Sequence, residues 1–191
     1  SDVCSSDLIN PISGTGSKKS IPDLLARAYA PLEHELLLTY TKAAGHAEEL
    51  ARRAAEEGYD HVIAVGGDGT VNEVARGLVG SKTALAIVPK GSGNGLARAL
   101  GLSMSTDRVI KQLASGRRIT IDSCQMNGQP FFCTCGMGFD AAVSRSFAEA
   151  STRGPVTYLR TMIDEYRGFK PETYRIILDE GERTIETEAF V

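Results

Sequence analysis

Asp68 sits in the middle of Gly66-Gly67-Asp68-Gly69-Thr70, and the surrounding residue types suit a site for phosphate. Glycines let a backbone approach an anion closely and turn its amides inward. A carboxylate inside such a cradle repels phosphate unless it meets a Mg²⁺ ion or a hydroxyl donor, so the loop reads as phosphoryl-transfer machinery more than as a passive nest. A second loop of the same kind, Lys90-Gly91-Ser92-Gly93-Asn94-Gly95, follows. Neither contains the Gly-Lys-[Ser/Thr] of a Walker loop or the dinucleotide spacing with an acidic residue about twenty positions on. The expectation is that Gly66, Gly67, Gly69 and Thr70 hold nucleotide phosphates through backbone amides, while Gly91, Ser92, Gly93 and Asn94 close the other side. Asp68 is the candidate catalytic residue, by coordinating metal directly or through water or by accepting the substrate proton. The plain alternative is an Asp that bridges two loop amides.

The elements around these loops must place both at one edge. His61-Val62-Ile63-Ala64-Val65 lacks polar alternation in its last four residues, which suits a central parallel strand buried on both faces. Val71, Val74, Ala75, Leu78 and Val79 then form the stripe of a helix lying on the sheet, with Thr70 able to cap it. Ala84 to Val88 is another apolar strand, closed by Pro89, before a helix over 96–100. With a strand over 35–40 and a helix over 46–57, the alternation predicts a doubly wound α/β sheet, in which ligands bind at the carboxyl ends of the strands. That domain is expected over residues 1–117. From 118 to 191 short strands are expected at Ile119–Asp122, Phe131–Cys135, Tyr174–Leu178 and from Glu182, with Asn127-Gly128 as a hairpin turn.

Five motifs in order resemble the diacylglycerol kinase catalytic domain family, shared by bacterial lipid kinases, sphingosine kinases and ceramide kinases. Asn10-Pro11-Ile12-Ser13-Gly14-Thr15-Gly16 resembles the family's opening motif, and Thr41 with Gly45-His46-Ala47 resembles the next. Gly66 to Thr70 with Asn72, Glu73 and Val74 is similar to its Gly-Gly-Asp-Gly-Thr-x-Asn-Glu-Val signature. Pro89 to Asn94 with Ala97-Arg98 follows a further motif, with Ser92 for Thr and Gly95 for Asp. Gly138-Phe139-Asp140-Ala141 matches a marker at the start of the family's second domain. The resemblance implies an ATP- and Mg²⁺-dependent kinase acting on a hydroxyl of a diacylglycerol-like or sphingoid lipid. Asn10, Thr41, Asn72 and Glu73 would join the loops as nucleotide contacts, though a carboxylate at Glu73 is also favoured simply by a place in the first turn of its helix. The second domain would be the start of an incomplete β-sandwich. In the bacterial branch an acidic residue of a later segment acts as general base, so the resemblance implies that these 191 residues alone phosphorylate no lipid.

Composition narrows the field. A net charge of -3 argues against a dedicated nucleic-acid binder, which would show a basic surplus. The apolar runs are strand length, far short of the roughly twenty residues of a spanning helix, and no signal peptide is visible, so a cytoplasmic protein meeting lipid at the membrane surface is expected. Cys4, Cys124, Cys133 and Cys135 lack zinc spacing and read as reduced, buried thiols. His34, His46 and His61 share no spacing, and His46 reads as a helix start. Arg153, Arg160 and Arg167, spaced by seven, could form a dock for anionic headgroups or a solvated helix face. The polar Ser1–Leu8 stretch reads as an artefactual start. The rival functions are an NAD kinase-like enzyme and a nucleotide-binding domain without turnover.

Overall fold

The computed structural model describes residues 4–9, 20–30, 35–150, 155–170, 172–178, 181 and 183–188. The chain divides into two compact units, residues 1–133 and 134–191.

In the first unit, strands β1 (Cys4–Ile9), β2 (Glu35–Tyr40), β3 (His61–Gly66) and β4 (Ala84–Pro89) form one parallel sheet in the order β2-β1-β3-β4. Between and after them come helices α1 (Ile21–Tyr29), α2 (His46–Glu56), α3 (Asp68–Leu78), α4 (Gly95–Ala99) and α5 (Thr106–Ala114). Alternate residues of β3 go to opposite faces. Val62 and Ala64 join a core with α2, α3 and α4, whereas Ile63 and Val65 join one with α1 and α5. Burial on both faces is why this strand shows no polar alternation.

Helices α1 and α5 were not among the expected elements, yet each buries a short apolar stripe: Ile21, Leu25 and Tyr29 in α1, Val109 and Ile110 in α5. Cys4–Ile9 is a strand despite its polar residue types, because pairing to β2 on one side and β3 on the other decides its conformation.

Helices α2 and α3 approach closely at Gly77. A Cβ built there would lie 2.5 Å from the backbone oxygen of Glu48 and 2.9 Å from Ala51 Cβ. Beside it Arg76 donates from Nε and Nη2 to Glu48 Oε2 at 2.9 and 2.6 Å. Gly77→Val is expected to destabilise the first unit by about 1–3 kcal/mol, the usual cost of overpacking against backbone that cannot yield. Denaturant unfolding measures it, and an unchanged midpoint would refute the close crossing.

The hairpin of β5 (Cys124–Met126) and β6 (Gln129–Phe131) turns through Asn127 at φ 52° and Gly128 at φ 73°. Positive φ at both central residues is what the tight Asn-Gly turn requires. Two other expectations here are corrected. Ile119–Asp122 is not a strand, and Ile119 and Ile121 are exposed. The strand expected over Phe131–Cys135 ends at Phe131, since Cys133 adopts φ 97°, incompatible with extended backbone. Cys124, Cys133 and Cys135 are exposed rather than buried.

The second unit holds α6 (Phe139–Glu149), α7 (Pro155–Gly168) and an antiparallel pair, β7 (Thr173–Leu178) and β8 (Arg183–Glu188). Its described residues are thus more helical than the β-rich reading expected. Phe139, Val143 and Phe147 carry the helical spacing that reading passed over, and edge-to-face contacts of Phe139 with Tyr166 and of Phe147 with Tyr158 join the two helices. On α7, Arg160 and Arg167 lie 3.8 and 3.9 Å from Asp164 on an exposed face; Arg153 lies outside the described residues.

Candidate functional site

Because β2, β3 and β4 are parallel, the segments that follow them emerge at one edge of the sheet. There the first glycine loop is shorter than its sequence suggests. Helix α3 begins at Asp68, three residues before the apolar stripe, with Gly67 as its N-cap. Thr70 is therefore not the cap but a buried residue of the first turn. The amides of Asp68 and Gly69 have no acceptor within the helix, which leaves them at the positive end of its dipole.

Asp68 ties this turn to the second loop. Its Oδ2 accepts the Asn94 N–H at 2.7 Å and its Oδ1 accepts the Gly95 N–H at 2.6 Å. The bridge between two loop amides is thus present in these hydrogen bonds. The loop also holds itself. Asn94, buried and left-handed at φ 55°, accepts the Gly91 N–H through Oδ1 and returns Nδ2–H to the Gly91 carbonyl, both at 2.8 Å. Arg98, one turn into α4, donates Nε–H to the Gly93 carbonyl at 2.8 Å.

The glycines separate by what surrounds them. A Cβ at Gly91 would lie 2.6 Å from Gly67 Cα, one at Gly67 3.1 Å from Gly91 Cα, and one at Gly93 2.8 Å from Asp68 Oδ2. A Cβ at Gly66 would strike the Thr70 side chain. These four let the two loops and the helix pack together. Gly69 is different: beyond its chain neighbours and its own helix backbone, a Cβ there meets nothing within 4 Å, although its amide is among those at the helix end. Open space next to such amides fits a phosphate group.

The other expected residues are dispersed more widely. Thr41 is buried just past β2, in a turn where the Lys42 N–H donates to His46 Nδ1 at 3.0 Å. Asn72 is half-buried and Ser92 exposed. Glu73 lies in the second turn of α3, not the first, and its Oε2 accepts the Ala47 N–H at 3.2 Å, serving the N-terminus of α2. Asn10 lies outside the described residues. Sequence reasoning gave no role to Lys90 or to the loop contact of Arg98. The signal for Arg98 was its place one helical turn past the loop, and that for Lys90 its charge at a strand end. Among the described residues, no group of three or more His, Cys, Asp or Glu side chains is arranged to hold a metal ion, and no helix is long and apolar enough to cross a membrane.

Residues 8–126 match the sequence profile described as the diacylglycerol kinase catalytic domain, which covers more than half of the chain and both glycine loops. The chain belongs to the diacylglycerol kinase catalytic domain family. A diacylglycerol kinase of Bacillus subtilis is 36% identical over 139 residues, covering 69% of this chain and 44% of the relative. An uncharacterized protein of Synechocystis is 28% identical over 196 residues, covering 96% of this chain and 45% of the relative. A crystal structure of a diacylglycerol kinase from Bacillus anthracis superposes with a TM-score of 0.60 at 29% identity, covering 68% of this chain and 48% of that one. The chain spans less than half the length of each of these relatives. The named relatives in this family are diacylglycerol and lipid kinases.

Proposed function

We propose that this chain supplies the nucleotide-binding part of an ATP-dependent lipid kinase, which transfers the γ-phosphate of ATP to a hydroxyl of a diacylglycerol-like or sphingoid lipid. The supporting observation is the open space at Gly69, beside the first-turn amides of α3, in the same turn from which Asp68 holds the second loop. In this reading the sheet is a doubly wound nucleotide-binding domain, and the amides of Asp68 and Gly69 receive phosphate oxygens. Gly91 to Asn94 form the opposite wall, and Thr41 and Asn72 serve as outlying nucleotide contacts. Each carboxylate oxygen of Asp68 retains acceptor capacity beyond its one amide bond, so a Mg²⁺ ion carried in with the phosphates would be held there directly or through water. Such an ion supplies charge neutralisation at the transferring phosphoryl group. The protein's share is positioning, which accounts for most of the acceleration in phosphoryl transfer.

Family membership favours this reading over an NAD kinase-like one, since the matched profile runs through both loops. Titration calorimetry with Mg-ATP tests the binding step on this chain. Phosphate incorporation from labelled ATP into diacylglycerol, sphingosine or NAD by the full-length protein tests the transfer. Label in either lipid and none in NAD is expected; label in NAD alone would overturn the lipid kinase assignment.

A further inference from the structure

Lys90 lies between the last residue of β4 and the second glycine loop, and the motifs that defined the site gave it no task. Its backbone is fixed against the first loop, its N–H donating to the Gly66 carbonyl at 2.8 Å. Its side chain, on the sheet face that carries α5, is half-buried and donates from Nζ to the Thr106 hydroxyl in the first turn of that helix. Folding alone gives little reason for this placement. An ammonium has three protons to donate, and the Thr106 hydroxyl takes one. Among the described residues no carboxylate forms an ion pair with it, whereas Glu48, Asp60, Asp164 and Glu186 each pair with an arginine. The positive end of α5 also disfavours a cation beside its first turn. A half-buried cation with a neutral partner and an unfavourable helix end is stabilised by an anion. The neighbouring loops are those read above as a phosphate site.

We infer that Lys90 is a phosphate-binding residue of this site, its ammonium neutralising part of the polyphosphate charge of the bound nucleotide. The inference rests on the nucleotide reading given above and adds a residue to it.

The test compares the 191-residue chain with Lys90→Met, Lys90→Arg and Thr106→Val by calorimetric titration with ATP, ADP, adenosine and inorganic tripolyphosphate, and by thermal melting. Lys90→Met should weaken ATP and tripolyphosphate at least tenfold, weaken ADP less and leave adenosine unchanged, with a melting temperature equal to or above that of the parent chain. Lys90→Arg should retain most of the affinity. Thr106→Val, which removes the internal partner but keeps the charge, should bind ATP as well as the parent or better. Unchanged ATP affinity in Lys90→Met overturns this inference alone, as does an equal loss in Thr106→Val, which would make the contact structural. A parent chain that binds neither ATP nor tripolyphosphate overturns the nucleotide reading itself.

Discussion

Replacing Asp68 by Asn is expected to lower phosphoryl transfer by the full-length protein at least ~100-fold, and to loosen the second glycine loop at the same time. The two effects share one cause. Asp68 accepts two amide protons, from Asn94 at 2.7 Å and Gly95 at 2.6 Å, one on each oxygen. Asn offers one acceptor, so its amide nitrogen would point an N–H at a backbone N–H that also donates. Hydrogen bonds to a charged acceptor contribute ~1.5–3 kcal/mol. Since Asp68 is exposed, a loss near ~1–2 kcal/mol in the stability of the first unit is the expected size. Asp68→Glu keeps the charge but moves the oxygens by one methylene, so it should also fail to hold both amides. Labelled-ATP assays in mixed micelles give the rates, and thermal melting gives the stability. Lost turnover with an unchanged melting curve would shift Asp68 from holding the loop to acting on the phosphates directly; activity near that of the parent would remove it from the site.

Much of this arrangement was legible in the residues. The apolar run Val62–Val65 announced a strand covered on both faces because each of its side chains goes into one of two cores. The glycine loops announced a strand-to-helix edge because an apolar strand pattern enters each and a helical pattern leaves it. What stayed hidden was set by partners distant in sequence. The start of α3 at Asp68 breaks no rule of spacing, but an apolar stripe marks only where a helix meets the core, so residues 68–70 gave no periodic signal. Glu73 looked like an acid placed for its own helix, and it serves the Ala47 amide 26 positions away. The thiols of Cys133 and Cys135 read as alternate residues of one strand, which a single left-handed φ at Cys133 excludes. β1 carried the opposite lesson, since neighbours on both sides make a strand of residues with weak propensity for it.

A pair of glycine substitutions separates ligand space from loop packing, and it should produce opposite changes in stability with the same loss of binding. Gly69→Ala adds a methyl group that meets no atom within 4 Å beyond its chain neighbours and its own helix backbone, inside the first turn of an eleven-residue helix. Ala has less backbone freedom to lose on folding and is favoured in a helix, so this variant should gain ~0.5–1 kcal/mol. The methyl group nonetheless occupies the volume assigned to phosphate beside the Gly69 amide, and Mg-ATP affinity should fall at least ~10-fold, or about 1.4 kcal/mol. Gly91→Ala places its Cβ 2.6 Å from Gly67 Cα and 2.9 Å from Asn94 Oδ1, so either the two loops separate or Asn94 gives up its bonds to the Gly91 backbone. A loss of ~1–3 kcal/mol in stability is expected there, with binding lost because the cradle is no longer assembled. Gly67→Val and Gly93→Val would disrupt the same packing, so a loss of binding in them could not by itself locate the phosphate. Denaturant unfolding and ATP titration on the same two samples decide the point. A Gly69→Ala chain that is more stable and binds ATP as tightly as the parent would place the phosphates elsewhere, whatever Gly91→Ala does.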